Sequence, residues 1–325
     1  MDDGLSIDSG KNLQQQHFYM KHVWTRCAVH PDLMIITHII GGLGNQMFQY
    51  AAGRALSLDR GQLLRLDVSD FTGYGLHQGF ELHRVFDCPA ETATEAEIRS
   101  ILGWQFSTGI RRVLARPRLA MIRHNGFVVE PHFHYWPEIR NAPQDCYLVG
   151  HWQSEKYFQE VASVIRSDFT FRSPLSDRNT KLAEQIGQVN AVSLHVRRGD
   201  YVKNPKNVTV YGLCTPDYYR TAIQHVCERV EQPYFFIFSD DIIWVKDHLK
   251  MDLPCQYVDH NHGSESYNDM HLMSLCRHHI IANSSFSWWG AWLNPTQGKI
   301  VVAPQQWFIN GNNIQDLYPQ GWMVL

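Results

Sequence analysis

Apolar residues follow two alternating patterns along the chain. Short runs of β-branched and other apolar residues predict buried strands at 34–40, 62–66 and 191–196. Between the first two runs, apolar residues three or four positions apart predict a helix at 46–58. Strands that alternate with helices form parallel sheets covered by helices on both faces. The pattern therefore predicts an α/β protein.

The alternation continues to the C-terminus and divides the chain into two units. Further strands are predicted at 234–238, 256–258, 279–282 and 299–303, and further helices at 155–167, 217–231, 241–250, 266–276 and 286–293. A mostly helical stretch is predicted at 95–116. Pro174 and its polar neighbours mark the predicted boundary. We expect a disordered tail at 1–33 and α/β domains at 34–174 and 175–325, with a cleft between the two domains.

Composition and charge narrow the choice of function. The 325 residues include 29 lysines and arginines against 32 aspartates and glutamates, so the formal net charge is −3. A near-neutral chain lacks the basic excess typical of nucleic-acid binding, and no nucleic-acid partner is expected. A local basic pocket for a phosphate stays compatible with this balance.

Cysteine usage and hydropathy favour a cytoplasmic protein. The seven cysteines are odd in number and scattered, which argues against a disulfide framework or a zinc knuckle. No run approaches the roughly 18 apolar residues that span a bilayer. The polar N-terminus shows no signal peptide. We therefore expect a reducing compartment and no transmembrane segment.

A glycine-rich turn, Gly41-Gly-Leu-Gly-Asn-Gln46, lies between the first strand and the first helix. Such a turn lets the backbone approach a ligand closely, and a simple tight turn is the alternative. Gly42 and Gly44, with Asp67 after the second strand, also resemble the fingerprint of a nicotinamide-dependent oxidoreductase. Met47 stands where that fingerprint needs a small residue, which weakens this alternative.

A basic motif, His195-Val-Arg-Arg-Gly-Asp200, ends the strand that opens the second unit. Strand alternation directs His195 and Arg197 to one side and Arg198 to the other. Carboxyl ends of strands face the ligand crevice in open α/β sheets. Guanidinium groups there suit a phosphate, since each can bind two oxygens at once. An internal salt bridge with Asp200 is the alternative.

Serine and acidic residues follow later strands. Ser239 and Asp240 are candidates to accept bonds from a base or a ribose, and equally to cap the next helix. Ser284 and Ser285 begin a helix whose first amides favour an anion, although serine capping alone would also explain them.

Two further features have structural and functional interpretations. Trp288, Trp289 and Trp292 are candidates to stack on a sugar, as in a non-catalytic glycan-binding module, but a place in the core is favoured. No Asp-x-Asp pair occurs, and the histidine pairs at 132–134 and 260–262 lack a convincing third ligand. No metal site is predicted.

Taken together, the segments 39–52, 195–201, 238–241 and 269–289 resemble the galactoside α-1,2-fucosyltransferases, glycosyltransferase family 11. All four match in order and spacing, and the resemblance covers the chain from Met34 to the C-terminus. The lack of a membrane anchor resembles the bacterial members. The resemblance implies a fold of the GT-B type, with two Rossmann-like lobes. It also implies that the C-terminal lobe binds GDP-fucose and that the N-terminal lobe contacts the acceptor.

The same resemblance implies roles for individual residues. Arg197 is expected at the β-phosphate with support from Arg198, and His195 near the ribose or base. Ser284, Ser285 and Phe286 are expected at the phosphates. The complete donor-binding set is Gly42, Gly44, His195, Arg197, Arg198, Ser239, Asp240, Asp269, Asn283, Ser284, Ser285 and Phe286. Which of Asp240 and Asp269 recognises guanine is open.

The expected catalytic residues are Arg197, Asn45 and Asp200. The base is open among Asp200, Asn45 and a histidine of the N-terminal lobe. Related α-1,6 enzymes carry a glutamate eight residues beyond the first motif arginine, where this chain has Pro205.

The implied reaction is inverting transfer of L-fucose from GDP-β-L-fucose to the 2-hydroxyl of a terminal β-galactoside, without metal or other cofactor. Lactose or a lipid-linked glycan is the expected acceptor, and synthesis of O-antigen or another surface glycan the expected setting. Peripheral association with the inner face of a bacterial membrane is left open. Fucosyl transfer to another linkage is the first alternative.

Overall fold

Two parallel sheets flanked by helices form the described part of the chain. The computed structural model describes residues 30–73, 75, 77–199, 202, 212–309 and 311–325, with side chains from residue 33 onward. Most of the predicted tail lies outside these ranges. The first strand, however, begins at His30, so it takes in residues 30–33 of that tail. The limits of the two predicted domains stay a prediction.

The first sheet has the order β3-β2-β1-β5-β4 with all neighbours parallel. Its strands are β1 (His30–His38), β2 (Gln62–Asp67), β3 (Glu91–Thr92), β4 (Phe127–Val129) and β5 (Cys146–Val149). Helix α1 (Leu43–Arg60) joins β1 to β2 and ends at Gly61, which has a left-handed φ of 63°. Glycine adopts this conformation at little cost.

The remaining helices of the first half are short. They are α2 (Leu82–Val85), α3 (Glu95–Leu102), α4 (Thr108–Leu114) and α5 (Ala162–Asp168). The mostly helical stretch predicted at 95–116 is confirmed, but it is divided into two short helices. Gly103 ends α3 with a φ of 56°, and a 3-10 turn (Gly103–Phe106) precedes α4.

The second sheet has the order β11-β10-β9-β6-β7-β8, again parallel. Its strands are β6 (Asn190–Val196), β7 (Pro233–Ser239), β8 (Cys255–Val258), β9 (His278–Ile280), β10 (Val301–Ala303) and β11 (Met323–Val324). The helices are α6 (Asp177–Gln188), α7 (Pro216–Cys227), α8 (Ile242–His248), α9 (Tyr267–Leu275) and α10 (Ser285–Leu293). Helix α6 begins at Asp177, three residues after Pro174 at the predicted boundary. Within the described ranges, every helix is too short or too polar to cross a bilayer.

One hydrophobic core extends across both halves. Phe48 of α1 packs against Trp288 and Trp289 of α10, with ring centroids 4.5 and 4.9 Å apart. Trp288, Trp289 and Trp292 are at most 3% exposed, so the predicted place in the core is confirmed.

Gly44 is the point of closest approach between α1 and α10. A Cβ atom on Gly44 would lie 2.6 Å from the carbonyl carbon of Ser285 and 2.7 Å from the Phe286 nitrogen. Backbone atoms cannot step aside as a flexible side chain can. The Trp289 indole also donates a bond of 3.0 Å to the Gly44 carbonyl. A residue with no side chain is therefore needed here.

We predict that Gly44→Ala lowers the free energy of unfolding by about 2–3 kcal/mol, because the added methyl group forces the two halves apart. Urea denaturation measures this change. Gly187→Ala is the matched control, since this helical glycine has open space around its Cβ position and should be stabilised by up to about 1 kcal/mol. Equal stability of Gly44→Ala and the natural protein would contradict the packing account.

Candidate active site

Asp240 holds the basic motif at the end of β6. Strand β7 pairs with β6 so that Ser239 lies opposite Val196, and the residues that follow meet beyond the sheet. Arg197 Nη1 lies 2.9 Å from the Asp240 carboxylate. The same carboxylate accepts a bond of 2.8 Å from the Arg198 amide. Asp240 therefore fixes both the backbone of the motif and one guanidinium.

Arg198 points toward helix α8. Its guanidinium carbon lies 3.8 Å from the ring centroid of Trp244, and its Nε lies 3.5 Å from the Asp241 carboxylate. A cation over an indole face is stabilised by the ring quadrupole. Asp200, the expected salt-bridge partner and catalytic candidate, lies outside the described residues.

The turn before α8 differs in one detail from the helix capping predicted for Ser239 and Asp240. Asp241, not Asp240, is the N-cap, and its carboxylate accepts a bond of 3.2 Å from the Trp244 amide. Ser239 Oγ accepts a bond of 3.0 Å from the Asp241 amide. Ser239 therefore stabilises the turn, and Asp240 binds the two arginines of the basic motif. Their roles toward a donor stay predictions.

His195 is buried near the end of β6. Its side chain packs against Phe286, with ring centroids 5.9 Å apart, and the Nδ1 atom is buried without a hydrogen-bond partner. Burial lowers the pKa of His195 to about 3; Asp240 opposes this shift and Arg197 adds to it. The imidazole is therefore neutral at physiological pH.

The start of α10 presents uncapped backbone amides. Ser284 is the N-cap residue, but its side chain makes no capping bond. Strand β9 lies beside β6, with Leu194 opposite Ile280, so α10 begins next to the arginine motif. Arg197 and a helix N-terminus thus stand at the ends of adjacent strands, which is a favourable place for an anion.

Asn283 has a structural role that the sequence does not reveal. Its side chain is 1% exposed, and its Nδ2 donates to the carbonyl groups of Trp307 at 3.3 Å and Gly212 at 3.5 Å. Its Oδ1 accepts from the Cys214 thiol at 3.4 Å. These bonds join three loops, so direct donor contact by this amide is not favoured.

Asn45 connects the glycine turn to both halves. Its Oδ1 accepts bonds from Ser285 Oγ at 2.9 Å and from Gln153 Nε2 at 2.8 Å. Gly42 is the N-cap of α1, and its carbonyl accepts from the amides of Asn45 and Gln46. The turn therefore brings the first sheet against the helix start that follows β9.

Asp67 is not available to a ribose. Its buried carboxylate accepts hydrogen bonds from Arg111, from the Tyr147 hydroxyl and from the Ser69 amide. Burial tends to raise the pKa of Asp67, but these partners outweigh it and hold the pKa below the ordinary value. With Gly44 packed against Ser285, this argues against the nicotinamide alternative.

Asp269 keeps one carboxylate oxygen without a partner among the described residues. Its Oδ1 accepts a bond of 2.8 Å from Asn261, which is in turn bonded to Asn179 at 2.9 Å. His260 bonds the same Asn179 at 2.6 Å. Burial raises the pKa of Asp269 to about 7. The group lies in the first turn of α9, near the end of β8.

Two histidines border the first sheet at its carboxyl edge. The first, His38, ends β1 just before the glycine turn, and its Nε2 lies 3.0 Å from Asp70 Oδ2. Arg112 donates to the other oxygen of Asp70 at 2.9 Å. The bond with His38 is the largest of the effects that hold the pKa of Asp70 below its ordinary value. The pairing of His38 with Asp70 is not evident in the sequence, because 32 positions separate the two residues.

The second histidine, His151, follows β5. Glu130 accepts bonds from the His151 amide at 2.6 Å and from the Trp152 amide at 3.1 Å. Trp152 has a φ of 54°, a strained value for a bulky residue, and these bonds hold the turn. His151 is exposed, yet surrounding protein lowers its pKa by desolvation. Gln153, two residues on, bonds to Asn45.

Solved structures establish the class of fold. The chain superimposes on the α-1,6-fucosyltransferase NodZ in crystals soaked with GDP-fucose, with a TM-score of 0.53 and 15% identity over 81% of this chain and 93% of that one. The fucosyltransferase NodZ from Bradyrhizobium gives a TM-score of 0.51 at the same identity and coverage. The predicted fold of the GT-B type is confirmed.

Sequence relatives establish the family. The profile described as Glycosyl transferase family 11 matches residues 137–325. An α-1,2-colitosyltransferase of Escherichia coli is 36% identical over 89% of this chain and 98% of its own length. The O-antigen biosynthesis glycosyltransferase WbnK of E. coli is 36% identical over 88% and 98%. The chain therefore belongs to glycosyltransferase family 11, as its motifs predict.

A more distant relative comes from a primate. Galactoside α-(1,2)-fucosyltransferase 1 of Saimiri boliviensis boliviensis is 26% identical over 45% of this chain and 42% of its own length.

Proposed function

We propose that the protein transfers L-fucose from GDP-β-L-fucose to the 2-hydroxyl of a terminal β-galactoside, with inversion at the fucose C1. The observation that carries the proposal is the pairing of Arg197 with the uncapped start of α10 at the ends of adjacent strands. The names of the relatives support an α-1,2 linkage and a role in O-antigen synthesis.

The diphosphate of the donor suits the groups at the ends of β6 and β9. Arg197 supplies a fixed positive charge, because Asp240 orients its guanidinium. The first amides of α10 add donors that need no reorganisation. As the bond from the fucose C1 to the β-phosphate breaks, its electron pair passes to the phosphate oxygen. We propose that Arg197 and these amides stabilise that charge and that no metal is required.

Guanine recognition is best supported at Asp269. Asp240 is engaged by Arg197 and Arg198, whereas Asp269 has an oxygen without a partner among the described residues. A carboxylate can accept bonds from the N1 and N2 hydrogens of guanine together. Binding would then favour the charged form of a group whose pKa is about 7 in the free protein.

The acceptor is proposed to bind at the carboxyl edge of the first sheet. The galactose 2-hydroxyl attacks the fucose C1 from the face opposite the departing phosphate, and its proton passes to a base. His38 suits this role, because ionised Asp70 accepts from Nε2 and leaves Nδ1 as the proton acceptor. A base oriented by a carboxylate is a common catalytic arrangement. His151 has no such orienting group.

Colitosyl transfer is a second candidate, because one relative at 36% identity is an α-1,2-colitosyltransferase. Colitose is fucose without its 3-hydroxyl. The two donors therefore differ by one hydrogen-bonding group on the transferred sugar, and comparison of turnover with GDP-fucose and GDP-colitose distinguishes them.

We predict turnover of GDP-fucose with lactose or another β-galactoside, and a new α-1,2 linkage by NMR. Arg197→Ala should lower kcat by about 100- to 1,000-fold, because it removes a charge that acts on the leaving group. Arg220→Ala is the matched control, since Arg220 also pairs with an aspartate but on the surface of α7. EDTA should have little effect. Full activity of Arg197→Ala, or strict metal dependence, would contradict the proposal.

We predict that GDP affinity rises about tenfold between pH 6 and pH 8, because a carboxyl with a pKa of about 7 goes from roughly 10% to 90% ionised. Isothermal titration calorimetry measures this. In Asp269→Asn, the affinity for GDP should change with pH only as much as titration of the GDP phosphates requires. The same variant should gain affinity for xanthosine diphosphate. Asp259→Asn, at the end of β8, is the control. An unchanged pH profile in Asp269→Asn would place guanine elsewhere.

We predict that His38→Ala lowers kcat at least 100-fold, while His151→Ala stays within about threefold of the natural enzyme. Steady-state kinetics with GDP-fucose and a galactoside measures both. GDP affinity should be unchanged in either variant, because both histidines lie in the first half. The reverse pattern would assign the base to His151, and normal turnover in both would exclude a histidine base.

A further inference from the structure

An unusual concentration of positive charge lies in the first half of the chain. Residues 98–129 contain six arginines and no aspartate or glutamate, in a protein whose net charge is −3. Three of the six are balanced nearby: Arg99 by Glu95, Arg111 by Asp67 and Arg112 by Asp70. Arg116 and Arg118 are exposed and form no ion pair with any described residue.

Large apolar side chains are exposed in the same segment. Of the ten large hydrophobic side chains exposed in the described part of the chain, four lie between residues 104 and 122. Met121 is 98% exposed, Trp104 65% and Ile122 57%. Single exposed hydrophobic residues are ordinary, but a cluster usually marks a contact surface.

Hydrogen bonds hold the parts of this segment together. Gln105 donates to the Ile122 carbonyl and accepts from the His124 amide, each at 2.9 Å, which ties the residue after Trp104 to the backbone at 122–124. Arg123 donates to the carbonyl groups of residues 114, 115 and 116, which draws the turn Pro117–Ile122 against the end of α4. We call this the arginine-rich surface; its exposed members are Trp104, Val113, Arg116, Arg118, Met121 and Ile122.

We propose that the arginine-rich surface docks the protein on an anionic phospholipid bilayer. Exposed tryptophan, methionine and isoleucine suit the boundary between head groups and acyl chains. Arginines at the rim suit the negative surface of the bilayer, to which each adds attraction over about one Debye length. The absence of any carboxylate in this stretch of sequence is what favours a lipid surface over a protein of mixed charge.

The surface adjoins the acceptor side of the proposed active site. Helix α4 carries Val113 on this surface, while Arg112 of the same helix reaches Asp70, the partner of His38. Docking would therefore place the carboxyl edge of the first sheet near the head groups, where a lipid-linked acceptor could reach it. This consequence rests on the proposed function, whereas docking itself does not.

Co-sedimentation with vesicles tests the docking without donor or acceptor. The full chain should bind vesicles of phosphatidylcholine with 30% phosphatidylglycerol and should bind pure phosphatidylcholine at least tenfold more weakly. Arg116→Glu/Arg118→Glu should lower binding to the anionic vesicles at least tenfold. Lys181→Glu/Lys250→Glu carries the same change in net charge at exposed positions elsewhere, and should bind within about twofold of the natural protein.

Further variants separate a lipid surface from other occupants. Trp104→Ser/Ile122→Ser should weaken vesicle binding at least fivefold, whereas Ile243→Ser, an exposed control on α8, should not. Failure to bind anionic vesicles, or equal loss in the lysine control, would overturn the proposal. A dimer in solution that Trp104→Ser/Ile122→Ser dissociates would also overturn it, by assigning the surface to a second copy. None of these outcomes depends on which sugar is transferred.

Discussion

The contact between the Gly44 backbone and the start of α10 is the constraint on which the remaining structure depends. Only a residue without a side chain lets helix α1 lie directly against the Ser285–Phe286 peptide. The Ser285 hydroxyl then meets Asn45, and the Trp289 indole meets the Gly44 carbonyl. These contacts place the end of the first sheet opposite the end of the second. The glycine turn, which resembles a nucleotide-binding loop, therefore packs the two halves of the chain against each other.

This packing contact brings together two halves for which we propose different roles in the reaction. In the second half, Arg197 and the start of α10 follow adjacent strands, where we propose that they bind the diphosphate, and Asp269 lies in the first turn of α9, where we propose that it binds guanine. Strand ends of the first sheet carry His38 with Asp70, and His151 beside Glu130. In the proposed reaction, the second half stabilises the charge that develops on the leaving phosphate, and the first half accepts the proton from the sugar hydroxyl. The shared core holds the two halves in position.

Sequence patterns predicted the features that are local. Apolar runs located two of the five strands of the first sheet and five of the six strands of the second, and motif positions at strand ends pointed to Arg197 and the start of α10. Helix α6 was missed, because Leu182 and Ile186 are its only large apolar residues and its remaining surface is polar. Strand β5 was also missed, although it is as long as β8, which the apolar pattern did predict.

Pairings between distant residues could not be read from the sequence. Asp240 lies 42 positions after Arg198, and Asp70 lies 32 positions after His38. Each pair depends on how strands pack side by side. The division of the helical stretch at Gly103 likewise depends on a positive φ that the apolar pattern does not reveal.

A crystal structure of the protein with GDP would show which groups bind the donor. We expect the β-phosphate between Arg197 and the first amides of α10, with the guanine edge facing Asp269. GDP bound along the glycine turn toward Asp67, with Arg197 and α10 left without ligand contact, would contradict it.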